Sequence, residues 1–395
     1  MNTLPRLPRT AENHFRRTGL PIIHLLLALT VLVTVTLPAA LAVPFDEVRL
    51  TPQWQALDTN KDGAVSIDEL HPMQARVMKM HDADENGVIS LAEFASFDLD
   101  PGGASRVAIP ESVRLIEDLP YATTSDPRQR LDVYLPKQAV DSDPLPVIAY
   151  IHGGGWKMGS KISARTQLLP FIETGRFAAV SIGYRLSWQA PWPAQIYDIK
   201  AGIRWIRAHA LDYGLDPDRI CAFGPSAGGH LAAMMGTTNG VNPVEGDLGE
   251  HRVESSDVQC VVDFFGPTEL VGTDPLDPLG NPSIVTQLLG GPAQEYPERA
   301  TSASPLRHVD VSDVPFFIVH GTEDPLVAYS DSVKLAAALR AVGVPVVFQT
   351  VTGGGHGTFG TAASAVNERT KSFLEHIFYN PAIQVPRTAL DAGPE

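Results

Sequence analysis

Seven short apolar runs rich in β-branched residues punctuate this 395-residue chain: Leu131–Leu135, Val147–Ile151, Ala178–Tyr184, Ile220–Phe223, Val258–Phe265, Phe316–Val319 and Val346–Val351. Helical patterns lie between several of them. Ile196, Ile199, Ile203, Ile206 and Ala210 keep one face, as do Leu335, Leu339 and Val342, with Gly343 as a stop. Strands that are apolar on both sides cannot turn either face to water. Alternating with helices, they predict an α/β class domain: a mostly parallel sheet with helices on both faces. Hydrophobic residues at 44% and charged residues at 19% exclude wholesale disorder. The length suits one large domain plus a small one.

The chemistry-bearing residues fall on the loops after those strands. Ile220-Cys-Ala-Phe-Gly224-Pro-Ser226-Ala-Gly228-Gly-His230-Leu places a G-x-S-x-G pattern between a strand and a helix-forming segment. Glycines there let the chain turn tightly, so the serine projects above the sheet as a nucleophile elbow. The following helix directs its positive end at the site. Upstream, Tyr150-Ile-His152-Gly153-Gly154-Gly155-Trp156 follows another strand, and consecutive glycines let backbone N–H groups converge on an anion. With the N–H of Ala227, Gly153 and Gly154 form the expected oxyanion hole. The Gly-Lys-Ser/Thr ending of a nucleotide loop is missing here. His152 is expected to shape this loop rather than act as base. Asp324, in His320-Gly-Thr-Glu323-Asp324-Pro, supplies a carboxylate, with Glu323 as its competitor. His356, in Thr352-Gly-Gly-Gly-His356-Gly, supplies a base. The order Ser226, Asp324, His356 is the nucleophile–acid–base order of the α/β-hydrolase fold.

Residues from about 115 to 380 resemble the α/β-hydrolase esterases related to the hormone-sensitive lipase group. They are most similar to the bacterial carboxylesterases grouped with feruloyl and acetyl-xylan esterases. The stretches that carry the likeness are His152–Lys161, Ser181–Leu186, Pro193–Ile206, Asp216–Leu231, Val262–Pro267, Leu288–Gly291 and His320–Val327. Pro225, before the nucleophile, departs from the small or acidic residues usual there. The resemblance implies a serine carboxylic-ester hydrolase forming an acyl-enzyme on Ser226, with a small-molecule or polysaccharide-linked ester as substrate. Amide cleavage by the same triad, of arylformamidase or prolyl-oligopeptidase type, stays open. So does a calcium-dependent surface scaffold with a silent hydrolase domain.

Residues 44–100 hold twelve Asp/Glu against four Lys/Arg, more than half of the chain's net −15. Two windows there carry the EF-hand pattern of oxygen ligands about a turn glycine. In the first, Asp58, Asn60, Asp62, the Ala64 carbonyl, Ser66 and Glu69 are the expected calcium ligands. In the second they are Asp82, Asp84, Asn86, the Val88 carbonyl, Ser90 and Glu93. Val65 and Ile89 occupy the eighth position of each loop, where the loops can pair as a short antiparallel ribbon. The expectation is a small all-α pair binding two structural Ca²⁺, with catalysis needing no cofactor.

Arg6, Arg9, Arg16 and Arg17 precede an uncharged stretch from Gly19 to Val43 that ends in Ala40-Leu41-Ala42. This predicts a signal peptide over 1–42, cleaved near Ala42, and a secreted or cell-envelope protein. An uncleaved anchor is the alternative, since the run is about long enough to span a bilayer. No later segment is long and apolar enough to cross a membrane. The acidic balance argues against nucleic acid as a partner. The expected organisation is then a calcium-binding pair at 43–100, a linker at 101–110, the catalytic domain at 111–380 and a tail at 381–395. The long connection Pro267–Val314 is expected to help wall the acyl pocket. Trp188, Trp192 and Phe265 are aromatic candidates for pocket contacts. Cys221 and Cys260 fall on neighbouring strands and are expected to be buried thiols rather than a disulfide.

Overall fold

In the computed structural model, the residues described are 65–66, 87–89, 107–140, 144–240, 244–273, 283–383, 385–386 and 388–392. The expected leader and linker residues 101–106 lie outside them. Two short strands, β1 (Val65–Ser66) and β2 (Val88–Ile89), pair antiparallel, with Val65 opposite Ile89 and Ser66 opposite Val88.

The remaining strands form one nine-stranded sheet. In chain order they are β3 (Val113–Pro120), β4 (Arg130–Pro136), β5 (Leu145–Ile151), β6 (Ala178–Ile182) and β7 (Leu215–Pro225). Then come β8 (Cys260–Phe264), β9 (Phe316–Gly321), β10 (Val346–Thr352) and β11 (Leu390–Asp391). Their spatial order is β11-β10-β9-β8-β7-β5-β6-β4-β3. Everything from β6 across to β11 is parallel, while β3 and β4 run antiparallel at one side.

Strand chemistry explains the two-layer core. Along β5, Val147, Ala149 and Ile151 point into one apolar layer, while Ile148 and Tyr150 point into the other. The first layer is covered by α2 (Ala194–Ala208), α3 (Ala227–Thr237) and α6 (Tyr329–Ala341). The second is covered by α1 (Ala164–Ile172) and α7 (Ala363–Phe378). Two short helices, α4 (Ile284–Leu289) and α5 (Pro297–Ser302), lie in the long connection after β8. On α2, Ile196, Ile199, Ile203 and Ile206 are all fully buried, each worth roughly 1.5–3 kcal/mol of transfer from water. That is the face read from the sequence, and Gly343 stops α6 with φ +88.

Two strands differ from expectation. β3 was not foreseen, because its residues are exposed or half-buried without regular alternation, apart from the buried Val113. Its ladder to β4 loses register between Ile116 and Leu119, where Asp118 adopts φ +59. The Asp118 N–H donates to Asp132 Oδ1 (2.8 Å), and Lys161 Nζ bridges both carboxylates at 2.9 and 2.6 Å. The tail, expected to stand outside the domain, instead supplies β11. Val351 pairs with Leu390, the Ala392 N–H donates to Thr352 O, and the Thr361 N–H donates to Ala392 O. Backbone pairing of two residues leaves no period in the sequence to read. Cys221 and Cys260 stand opposite each other on β7 and β8 as free, fully buried thiols, as expected.

Candidate active site

Strand β7 runs straight into the elbow. Ser226 takes φ 54, ψ −122 between the last strand residue, Pro225, and the first residue of α3, Ala227. A non-glycine residue in such a conformation costs on the order of 1–3 kcal/mol, which the surroundings must offset. The Ser226 N–H donates to Phe264 O (2.8 Å), and the His230 N–H donates to Ser226 O (2.9 Å). The flanking glycines are required by contact. A Cβ on Gly224 would stand 2.4 Å from the Gly228 backbone, and one on Gly228 only 2.0 Å from Ile151 O. Ser226 makes no side-chain cap bond to α3, so its hydroxyl is available to another partner.

That partner is His356, on the glycine loop after β10. Its Nε2 lies 2.9 Å from Ser226 Oγ and its Nδ1 lies 2.7 Å from Asp324 Oδ2. The network assigns the tautomer: Nδ1–H donates to the carboxylate, and Nε2 accepts from the serine hydroxyl. Asp324, after β9, meets the imidazole, while Glu323 beside it is exposed. Asp324 Oδ1 accepts the N–H groups of Leu326 (2.8 Å) and Val327 (2.9 Å). Burial alone would raise the Asp324 carboxyl. Hydrogen bonds from His320, His356 and the two amides outweigh it and hold the group well below the usual carboxylate range. It therefore stays ionised beside the base.

The glycine loop after β5 closes over the elbow. A Cβ on Gly153 would stand 2.9 Å from Pro225 O and 3.5 Å from Ser226 Cβ, so only glycine leaves room beside the nucleophile. Gly154 takes φ +109, and a Cβ there would meet Met158 O at 2.2 Å. His152 is buried and stacked on Tyr184 (4.1 Å, 9°), with Nδ1 2.8 Å from its neighbour's Gly153 O. Burial pushes its imidazole down to about 3. Burial thus favours its neutral ring. His230 likewise is neutral: burial lowers it to about 4. Its Nδ1 accepts from Trp156 Nε1 (3.2 Å), and its Nε2 lies 2.6 Å from Ala303 O.

Of the aromatic candidates, Trp192 is buried against His230 and donates to Ser302 Oγ (2.9 Å). Trp188 donates to Lys157 O in the glycine loop (3.2 Å). Phe265 packs on His356, with ring centroids 4.6 Å apart. Part of the long connection, 274–282, lies outside the described residues. Ile284, within it, stands 3.5 Å from where a Gly155 Cβ would be.

Two contributors carried no assigned role in the sequence reading. His320, fully buried, stands with Nε2 3.0 Å from Val327 O and 3.2 Å from Asp324 Oδ2, while its Nδ1 is 2.7 Å from Ser332 Oγ on α6. Asp263, at the end of β8, accepts the Gly266 N–H (2.9 Å), and burial pushes its carboxyl up to about 7. Each lies at the end of a strand beside the site, within a stretch that carries the family likeness. Of the expected calcium ligands, Ser66 and Val88 lie on the β1–β2 ribbon. Asp58, Asn60, Asp62, Ala64, Glu69, Asp82, Asp84, Asn86, Ser90 and Glu93 lie outside the described residues.

A serine on a strand–helix elbow, with an aspartate and a histidine on the loops after β9 and β10 of a mostly parallel sheet, is the arrangement of an α/β-hydrolase. More narrowly, the chain belongs to the BD-FAE family, whose pattern matches residues 131–339. An EF hand pattern matches residues 55–71. The chain is 30% identical over 271 residues to the esterase LipQ of Mycobacterium tuberculosis, covering 66% of this chain and 62% of that one. It is 32% identical over 205 residues to the probable carboxylic ester hydrolase LipM of the same organism, covering 51% and 47%. The chain thus spans less than two thirds of the length of these curated relatives. Among solved structures, a truncated carbohydrate esterase from gut microbiota matches with TM-score 0.62 and 32% identity, covering 69% of this chain and 99% of that one. An esterase of Thermogutta terrifontis matches with TM-score 0.54 and 25% identity, covering 70% and 98%.

Proposed function

We propose that this protein is a serine carboxylic-ester hydrolase acting on short-acyl or carbohydrate-linked esters. The observation that carries the reading is the unbroken line from Ser226 Oγ through His356 to Asp324, at 2.9 and 2.7 Å. Ser226 Oγ attacks the ester carbonyl while His356 Nε2 takes its proton. The N–H groups of Gly153, Gly154 and Ala227 receive the negative oxygen of the tetrahedral intermediate, aided by the positive end of α3. Collapse expels the alcohol, to which the imidazolium returns the proton, leaving an acyl-serine. Water activated by the same imidazole then releases the acid. The carbohydrate esterase among the similar structures supports the carbohydrate-linked class.

Ser226→Ala should lose at least about 10³-fold in kcat and lose covalent labelling by an organophosphonate. Full esterase turnover in purified Ser226→Ala would sink the assignment. A panel of p-nitrophenyl esters, acetylated xylan, feruloyl esters and peptide amides separates ester from amide cleavage.

Before this catalytic domain (111–380), residues 43–100 form a calcium-binding pair in the same proposal. The β1–β2 register supports it, because Val65 and Ile89 hold the same eighth position in their loops. Asp58, Asn60, Asp62, Ser66 and Glu69 with the Ala64 carbonyl would hold one Ca²⁺. Asp82, Asp84, Asn86, Ser90 and Glu93 with the Val88 carbonyl would hold the other. Bound calcium supplies charge neutralisation for the carboxylates. The triad needs no metal. Residues 1–42 act as an export signal, and N-terminal sequencing of the protein from its native host should begin at Val43.

A further inference from the structure

His356 must present its ring from Gly353-Gly354-Gly355-His356-Gly357, a segment with little stiffness of its own. Gly353 and Gly357 take φ 75 and 76. Hydrogen bonds fix the two ring nitrogens but leave the imidazole free to rock about the line joining them. The face of the ring needs a wall. Phe265 stands there, 5% exposed, its ring centroid 4.6 Å from that of His356 and its plane inclined at 59°. The same ring lies against the backbone that follows the base, where a Cβ on Gly357 would stand 3.2 Å from Phe265 Cζ.

Phe265 reaches this position only by adopting φ +46. A bulky side chain rarely takes that conformation, and it persists only where the surroundings over-determine it. Three hydrogen bonds do so here, two between backbone groups and one to a carboxylate. The Phe265 N–H donates to Val319 O (2.8 Å), Phe264 O accepts the Ser226 N–H (2.8 Å), and the Gly266 N–H donates to Asp263 Oδ1 (2.9 Å). Glycine would fit this backbone without strain. A phenylalanine there is explained by what its ring does. We propose that Phe265 is a positioning residue: the left-handed turn after β8 holds its ring as the wall that keeps the His356 imidazole in line between Ser226 and Asp324. The turn thereby ties nucleophile and base to one backbone, through Phe264 O and the Phe265 ring. The proposal rests on the serine-hydrolase reading above.

The test compares full-length wild type, Ser226→Ala, Phe265→Leu and Phe265→Gly. Readouts are steady-state hydrolysis of p-nitrophenyl acetate, thermal melting, and NMR of selectively labelled His and Phe. In wild type, a nuclear Overhauser contact between the Phe265 and His356 rings is expected. Its absence overturns the proposal whatever the variants do. Folded Phe265→Leu should lose about 10²-fold in kcat, with KM within about twofold and His356 ring signals broadened or doubled. Phe265→Gly relieves the backbone strain yet should be equally impaired, because the wall is gone. Wild-type kcat in either folded variant, or a loss confined to KM, overturns the proposal. So do unchanged His356 signals. Undiminished turnover in Ser226→Ala would instead overturn the serine-hydrolase reading, and the NMR contact would still judge the wall.

Discussion

Replacing Asp324 by asparagine probes the site at its most constrained point. Oδ1 accepts two backbone N–H groups, at 2.8 and 2.9 Å, and Oδ2 receives the His356 Nδ1–H at 2.7 Å. In Asp324→Asn, the amide oxygen must take the Oδ1 position. The flipped amide would set its NH₂ against two N–H donors, forfeiting two hydrogen bonds worth roughly 0.5–1.5 kcal/mol each and leaving the donors unsatisfied. The NH₂ therefore faces His356 Nδ1 and demands that this nitrogen accept. The imidazole proton moves to Nε2, which then presents N–H to Ser226 and cannot act as base. A wrong tautomer of this kind costs about 10⁴-fold in kcat, or about 5 kcal/mol of barrier. Because the asparagine keeps both backbone bonds, the loss should appear in kcat rather than in the folded fraction. Asp324→Ala removes both bonds and should be the less stable variant. Hydrolysis of p-nitrophenyl acetate, run beside urea melts, separates the two effects. A folded Asp324→Asn protein within tenfold of wild-type kcat would refute the tautomer argument.

Burial pushes the Asp263 carboxyl up from 3.8 to about 7 in the folded protein. Its folded pKa lies above its unfolded one, so its contribution to stability is full below about pH 4 and is lost as pH rises through about 7. The loss is on the order of 4 kcal/mol (about three pKa units at 1.36 each). Asp263→Asn can still accept the Gly266 N–H. It should flatten the fall in stability between pH 5 and 7.5 relative to wild type, and equal slopes in urea melts would contradict the assignment. Gly228→Ala should cost at least about 10²-fold in kcat, since its Cβ would stand 2.0 Å from Ile151 O and push the elbow off the glycine loop. Wild-type turnover in that variant would show that the elbow can relax. Chelator should lower the melting temperature of the N-terminal module while ester hydrolysis largely survives. The double substitution Glu69→Gln, Glu93→Gln should abolish that shift, and reversible loss of turnover on chelation would mean that the calcium module shapes the catalytic site.

Ser226, Asp324 and His356 were legible because each sits where a local pattern ends: a strand, a turn glycine, a helix-forming segment. Those signals span a few residues, so one sequence carries them. The separation of Asp324 from Glu323 was left open, because two adjacent turn residues differ only in where the folded backbone points them. Phe265 illustrates a different limit. It reads as the last residue of an apolar strand, yet it leaves the strand with φ +46, and its partners Val319 and His356 lie 54 and 91 residues further on. His320 has no role readable from its motif, because its contacts with Val327 and Ser332 depend on how the next turn folds back. β3 and β11 escaped notice because neither has a regular apolar period. Their pairing is a property of the neighbouring strand's backbone.

The break in β3 has a consequence for self-association. A strand at the border of a sheet offers unpaired N–H and C=O groups to any second copy that arrives in register. Here a newcomer would meet a ladder interrupted between Ile116 and Leu119, exposed Arg114, Glu117 and Asp118, and a proline at position 120 with no N–H to give. Lys161 clamps the interruption in place by bridging Asp118 and Asp132. Among the described residues, the opposite border offers the two residues of β11. Among the described residues, strand-by-strand addition of a second copy is therefore disfavoured at both borders of the sheet.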